Sequence, residues 1–205
     1  SEGIAIISSH LSKYMNFSNK EQKKMKIAGY LHDIGKLVVP PGILNKSGKL
    51  TNEEWNIMKT HTYYTYQALS TTGNLNTIRE WASYHHEKLN GKGYPFHLDG
   101  NQLSLGSRIM GVADVFTAIT EDRPYRKGMK YSQVKKILND MALNNELDEK
   151  LVGIVIDNFK EFNDIREEVQ IKTKKYFNEF NKKAKNTLKS LKKEEFSSDK
   201  PEALK

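Results

Sequence analysis

The run Ile109-Met110-Gly111-Val112-Ala113-Asp114-Val115-Phe116 is the most apolar in the chain, and a carboxylate sits inside it. The segment from Leu103 to Thr120 reads as a helix central to a core, and it delivers Asp114 inward. A carboxylate among Ile, Met, Val, Ala and Phe is buried at tolerable cost only beside a cation or a metal. The fold must therefore assemble a charged or metal-bearing site against this helix.

Candidates for that site are spread along the preceding eighty residues. In Leu31-His32-Asp33-Ile34-Gly35-Lys36, the adjacent His32 and Asp33 bring an imidazole nitrogen and a carboxylate within reach of one point. Such a pair suits a hard-to-borderline divalent metal. His61 follows, then His85-His86. On consecutive helical positions two side chains diverge by about 100°. Both histidines then serve one centre only at a helix edge or end, or where more than one metal binds. Together His32, Asp33, His61, His85, His86 and Asp114 describe a polynuclear metal site.

The rest of the chain reads as helices joined by short connectors, an all-α fold. Ile4, Ile7, Leu11 and Tyr14 or Met15 recur at helical spacing, so the chain opens inside an amphipathic helix; His10 on that helix is ordinary packing or surface. Ser18 with Glu21 and Thr51 with Glu54 have the spacing of capping boxes. The first starts a helix through Met25, Ile27, Ala28 and Leu31 that Gly35 ends; the second starts the helix carrying Trp55, Met58 and His61. Val38-Val39-Pro40-Pro41-Gly42 breaks the chain between them. A further helix spans roughly Leu75 to Glu87, with Ile78, Trp81 and Ala82 inward and the histidine pair at its end. Asn90 to Gly100 is a loop shaped by glycine freedom and proline restraint. Tyr131–Leu143 and Asp148–Phe162 are the closing helices, the latter burying Leu151, Ile154, Val155 and Phe159.

The segment Ala28 to Gly35, the His61 region, His85-His86-Glu87-Lys88-Leu89-Asn90-Gly91-Lys92-Gly93-Tyr94-Pro95, and Asp114 through Asp122-Arg123-Pro124-Tyr125-Arg126 together resemble the HD-GYP family. The likeness runs from about Ser18 to about Phe162. It implies an HD-superfamily helical bundle that hydrolyses cyclic di-GMP to pGpG, and further to GMP, through a metal-activated hydroxide. It implies two or three divalent metals, iron or manganese, with Asp33 as the bridging ligand. His32 and Asp114 would serve one metal and His61, His85 and His86 the other. Lys36, Arg123 and Arg126 would hold phosphates, and Gly93, Tyr94 and Pro95 would border the substrate cleft, Tyr94 meeting a guanine. A further upstream histidine is expected at about residue 0. Asn90 stands where an Asp is usual, His97 where a Gly is usual, and Thr117 replaces a customary Asp. A catalytically weak cyclic di-GMP sensor and another HD-superfamily nucleotide phosphohydrolase are the rival readings.

Charge divides the chain. Residues 166–205 hold twelve Lys or Arg against seven Asp or Glu, a net +5 of the total +8. Residues 1–165 are accordingly read as the catalytic domain and 166–205 as a basic C-terminal helix with a tail that frays beyond Glu195. Phe177, Phe180, Ala184, Leu188 and Leu191 repeat there at threes and fours, a narrow apolar seam that either packs back on the domain or pairs two subunits. The lysines read as a solvated face; no aromatic-interleaved groove points to specific nucleic-acid binding. No apolar run approaches the roughly 20 residues needed to span a bilayer. The absence of cysteine fits a reducing cytoplasm, with an upstream sensor or receiver domain, or a membrane attachment, as further expectations.

Overall fold

The computed structural model describes residues 2–122 and 126–198, with side chains as far as Thr187. Among the described residues the chain is all-α: helices α1 (Glu2–Tyr14), α2 (Asn19–Leu31), α3 (Pro41–Leu44), α4 (Asn52–Ser70), α5 (Asn76–Ser83), α6 (Leu105–Thr120), α7 (Tyr131–Leu143), α8 (Glu149–Asp157) and α9 (Phe159–Ser198), with a 3-10 turn over Ile34–Val38. No helix among them is long and apolar enough to cross a membrane.

Helix α6 is the axle of the bundle. It buries Ile109, Met110, Val112, Ala113 and Phe116 completely, against α1, α5, α7 and α8. Ile7 and Leu11 of α1, Met25 and Ala28 of α2, Leu138 of α7 and Leu151 and Val155 of α8 complete the core. At about 1.5–3 kcal/mol for each fully buried large aliphatic or aromatic side chain, these contacts hold the shorter helices in place. Both capping boxes form, with Ser18 accepting from the Glu21 N–H and Thr51 from the Glu54 N–H.

Three helix ends differ from the sequence reading, each for a local reason. Helix α2 stops at Leu31 rather than Gly35, and α5 at Ser83 rather than Glu87. In both cases an imidazole just past the end, His32 or His85, donates Nδ1–H to the carbonyl three residues back, Gly29 or Ala82. Those carbonyls are among the last of their helices and lack a helical donor, so the histidine supplies one. The closing segment breaks at Asn158, whose side chain bonds the Ile154 carbonyl and competes with the helix ladder. Phe162 therefore belongs to α9, and the buried stripe of α8 is Leu151, Val152, Val155 and Ile156, with Ile154 and Phe159 only partly covered.

Helix α9 continues without a break from the bundle through Ser198, past the point where fraying was expected. Phe177 and Phe180 of the seam are exposed. The side chains of Leu188 and Leu191, and residues 199–205, lie outside the described residues, as does the Arg123-Pro124-Tyr125 segment.

Candidate metal centre

Four separate pieces of backbone bring the predicted ligands together. His32 and Asp33 follow the end of α2, His61 faces inward from α4, His85 and His86 follow α5, and Asp114 faces them from α6. His32, His61 and His85 are all buried. Their rings cluster, with centroids 4.8 Å apart for His32 and His85, 5.6 Å for His61 and His85, and 4.1 Å for His85 and His86.

The three buried imidazoles share one device. Each presents Nδ1 to a backbone carbonyl three residues earlier: His32 to Gly29 at 2.7 Å, His61 to Met58 at 2.8 Å, His85 to Ala82 at 2.7 Å. A carbonyl only accepts, so Nδ1 carries the proton and Nε2 turns a lone pair to the centre in each neutral ring. Such a bond fixes tautomer and ring orientation in metal-ligating histidines. Burial holds His61 and His85 below the ordinary imidazole range, and burial, followed by the charge of His61, brings His86 down to about 3.

These lone pairs meet other acceptors. The Asp33 carboxylate straddles the cluster, with Oδ2 3.2 Å from His32 Nε2 and Oδ1 3.5 Å from His61 Nε2. Burial works to raise Asp33, but the neighbouring His32 ring and the charge of Lys36 outweigh it and hold the carboxyl far below its usual range. Asp33 Oδ1, His61 Nε2 and His85 Nε2 are buried without a hydrogen-bond partner. Unpaired buried acceptors are costly, and three of them converging is the arrangement that cations remedy. Two ligand groups result, His32-Asp33-His85 and His61-His85-His86, within which the candidate donor atoms lie within 4.8 Å of one another. The residues present fit a bound metal ion. His85 belongs to both groups, and Asp114 stands beside His86, its Oδ2 3.5 Å from Nδ1.

The expected substrate residues are placed less uniformly. Lys36 Nζ bonds Asp33 Oδ2 at 2.6 Å at the mouth of the site. Tyr94 stacks obliquely on His86, ring centroids 4.9 Å apart, and burial, then the charges of Asp114 and Asp33, keeps its phenol protonated to high pH. A cavity of about 300 Å3 opens beside His86, Tyr94 and Asp114, walled by Val115, Ile119 and Met141. Pro95 follows Tyr94 through a cis peptide bond. Gly93 lies so close to the chain after the histidine pair that a Cβ there would sit 2.4 Å from Glu87 Cα. Arg126 donates its guanidinium to the Ala118 carbonyl, one turn beyond Asp114. Arg123 lies outside the described residues.

Gly35 does not end a helix. It lets the His32-Asp33 segment press against α4, where a Cβ would be 2.0 Å from the His61 carbonyl oxygen. Thr65, one turn after His61, completes that junction and was absent from the sequence reading. Its hydroxyl accepts from Gly35 N–H at 3.1 Å and donates to the His32 carbonyl at 3.0 Å. Glu87 was also missed. It is buried and accepts the N–H groups of Phe96 and Leu98, fastening the Gly-Tyr-Pro loop to the histidine pair. Of the departures from the family pattern, His97 holds a left-handed φ of 57°, the conformation that a glycine adopts most easily. Asn90 donates to the Asn144 carbonyl, and Thr117 is buried on α6 against α1, near Gly3.

A family model described as HD domain matches residues 2–151. The chain is similar to a 3'3'-cGAMP-specific phosphodiesterase of Vibrio cholerae, 35% identical over 162 residues, covering 79% of this chain and 38% of that protein. It is also similar to a cyclic di-GMP phosphodiesterase of Pseudomonas aeruginosa, 40% identical over 119 residues, 58% of this chain and 29% of that one. Among solved structures, an HDG"Y"P protein from Bdellovibrio bacteriovorus superposes with a TM-score of 0.63 at 16% identity, covering 78% of this chain and 51% of that chain, a likeness of fold. The chain thus spans between 29% and 51% of the length of these three proteins.

Proposed function

The chain belongs to the HD-domain family, in its HD-GYP branch, and from that premise we propose that it is a metal-dependent phosphodiesterase that hydrolyses cyclic di-GMP. The observation that carries the proposal is the convergence of three buried, unpartnered acceptor atoms, Asp33 Oδ1, His61 Nε2 and His85 Nε2, beside a cavity walled by Tyr94 and aliphatic side chains.

His32, Asp33, His61, His85, His86 and Asp114 would hold two divalent ions, and the imidazole and carboxylate donors suit iron or manganese. Such a pair, when bound, acidifies water and neutralises phosphoryl charge. The protein's own part is to keep the imidazoles deprotonated by burial and to aim them through their backbone bonds. Asp33 offers its two oxygens to opposite sides of the cluster. Lys36 supplies a positive charge at the mouth for a phosphate. Tyr94, Val115, Ile119 and Met141 present flat and apolar surface to a purine, and Arg126, past the end of α6, is tied to the Ala118 carbonyl one turn beyond Asp114. One water added across one P–O bond yields the linear dinucleotide pGpG, and a second yields GMP.

The test is turnover by protein loaded with iron or manganese without air, compared with an Asp33→Ala variant. Cyclic di-GMP and 3'3'-cGAMP are both offered, since a relative that matches 79% of the chain is named for the latter. Hydrolysis of cyclic di-GMP that Asp33→Ala abolishes supports the proposal. Preference for 3'3'-cGAMP redirects it to that substrate, and binding without turnover replaces the enzyme with a sensor.

A further inference from the structure

Two residues past His86, Lys88 stands on the wall of the cavity beside His86, Tyr94 and Asp114. Its Nζ donates to Glu146 Oε2 at 2.7 Å, reaching from the segment after α5 to the turn between α7 and α8. Other bonds already fasten that turn: Leu89 N–H donates to the Glu146 carbonyl at 3.2 Å, and the Asn90 side-chain amide to the Asn144 carbonyl at 3.0 Å. The ion pair is also part-exposed, its side chains 36% open for Lys88 and 24% for Glu146, and pairs so placed add little stability. Holding the fold does not account for it.

What the pair does supply is a pattern of donors and acceptors. An ammonium only donates, and Glu146 takes one of its three N–H groups; an ionised carboxylate only accepts, through two oxygens. With the ammonium on the cavity wall and the carboxylate beside it, the order is donor, acceptor, acceptor. Guanine has the complementary edge, with O6 accepting and N1–H and N2–H donating. Adenine donates through N6 and accepts at N1, so each of its groups would meet one of its own kind.

We propose that Lys88 and Glu146 select the base: Lys88 donates to guanine O6 and Glu146 accepts from N1–H and N2–H, so the site takes guanine and refuses adenine. The inference rests on the proposed cyclic dinucleotide substrate and names the residues that choose its base. The aliphatic walls do not make that choice, because Val115, Ala118, Ile119, Met141 and Leu147 meet a flat ring of either purine equally well. The position suits the role. Cα atoms two residues apart are separated by no more than about 7 Å, so a nucleotide whose phosphate lies at His86 has its own base within reach of the Lys88 side chain. A polar edge matched to one base discriminates more sharply than an apolar wall does, since the wrong base leaves desolvated groups unpaired.

The test compares cyclic di-GMP with cyclic di-AMP on the full chain loaded with manganese, by rapid-mixing binding before turnover and by kcat/KM. Wild type should prefer the guanine compound by at least about tenfold, on the order of one well-made contact to a base edge. Glu146→Gln installs an amide that donates as well as accepts, the pattern that suits adenine, and should cut the preference by about tenfold or more. Lys88→Met keeps the reach of the side chain without its donor and should cut it likewise. Both positions are part-exposed and the turn keeps its other bonds, so the variants keep the fold, which circular dichroism verifies. A mere strut between the turn and the ligand segment would instead weaken both compounds alike. A fixed ratio in either variant, or equal use of the two compounds by wild type, overturns the inference and leaves the proposed activity standing. Preferential binding of cyclic di-GMP that both variants lose, without turnover, upholds the inference and overturns the phosphodiesterase activity instead. Binding of neither compound overturns both.

Discussion

Asp33 Oδ1 and His61 Nε2 lie 3.5 Å apart in the interior, and neither has a hydrogen-bond partner. With the His61 proton committed to the Met58 carbonyl, both atoms are acceptors, and the contact is repulsive until a cation lies between them. Metal binding should therefore stabilise this protein strongly, and Asp33→Asn should matter far more with metal than without. The amide supplies N–H groups to the facing lone pairs but gives up the part-exposed ion pair with Lys36, so the chelated variant should stay close to chelated wild type in stability to urea. Its metal content by elemental analysis, and its turnover, should fall, turnover by more than the about 10–100-fold that losing a supporting contact costs. A chelated variant markedly less stable than wild type would show that the ion pair with Lys36, and not a metal, is what Asp33 chiefly serves.

Thr65 ties the two ligand-bearing segments of His32 and His61 through one hydroxyl. Thr65→Val keeps the shape but leaves the Gly35 N–H unpaired in the interior. The expected cost is about 1–3 kcal/mol of stability, together with about 10–100-fold weaker metal binding, the usual effect of losing a supporting contact. Urea denaturation and metal titration of the same preparation check both. Unchanged metal affinity would confine Thr65 to packing.

How far the site could be read from the sequence follows from what each residue's neighbours reveal. Asp114 in an apolar run and the His32-Asp33 pair are anomalies within their own segments, so they stand out before any fold is known. Thr65 and Glu87 are ordinary where they stand; their roles arise from contacts 30 residues away, Thr65 to Gly35, and from backbone donors in a loop of irregular shape. Helix type and order were legible because α1, α4, α6 and α7 have clear periodicity and two of the starts are capped. Three ends were not, since His32, His85 and Asn158 end helices with side-chain bonds that periodicity does not register. For the same reason the position of His85 and His86 past α5, rather than on it, was hidden, and with it the ease with which both reach one centre.

The buried histidines also set a pH dependence for the metal-free protein. His61, His85 and His86 are all held below the ordinary imidazole value of 6.5, His86 at about 3. Below pH 6.5 the unfolded chain takes up protons that the folded chain refuses, so stability present above that pH is lost as pH falls. At pH 5.5 the loss from His86 alone is about 1.4 kcal/mol, one unit of pH on one group. Urea midpoints of chelated protein should therefore decline steadily from pH 7 to pH 5. His86→Gln should flatten that slope, and an unchanged slope would mean that His86 titrates alike in both states.

Gly93 is the point at which the Gly-Tyr-Pro loop touches the segment after the histidine pair. An added Cβ would stand 2.4 Å from both Glu87 Cα and the Lys88 nitrogen. Those are backbone atoms, so they cannot swing aside as a side chain would, and the loop itself must move. Tyr94 N–H, which bonds the His86 carbonyl at 3.2 Å, moves with it, and so does the ring over His86. Gly93→Ala should therefore leave metal content intact while lowering kcat/KM for the cyclic dinucleotide by about 10–100-fold, since a displacement of about 1 Å in a positioned group costs on that order. Glu87→Gln should reproduce part of the defect by weakening the bonds to Phe96 and Leu98 from charged to neutral acceptors. Elemental analysis and steady-state kinetics on both variants separate the loop from the metal centre. Loss of metal in Gly93→Ala would mean that the loop supports the ligands and not only the substrate.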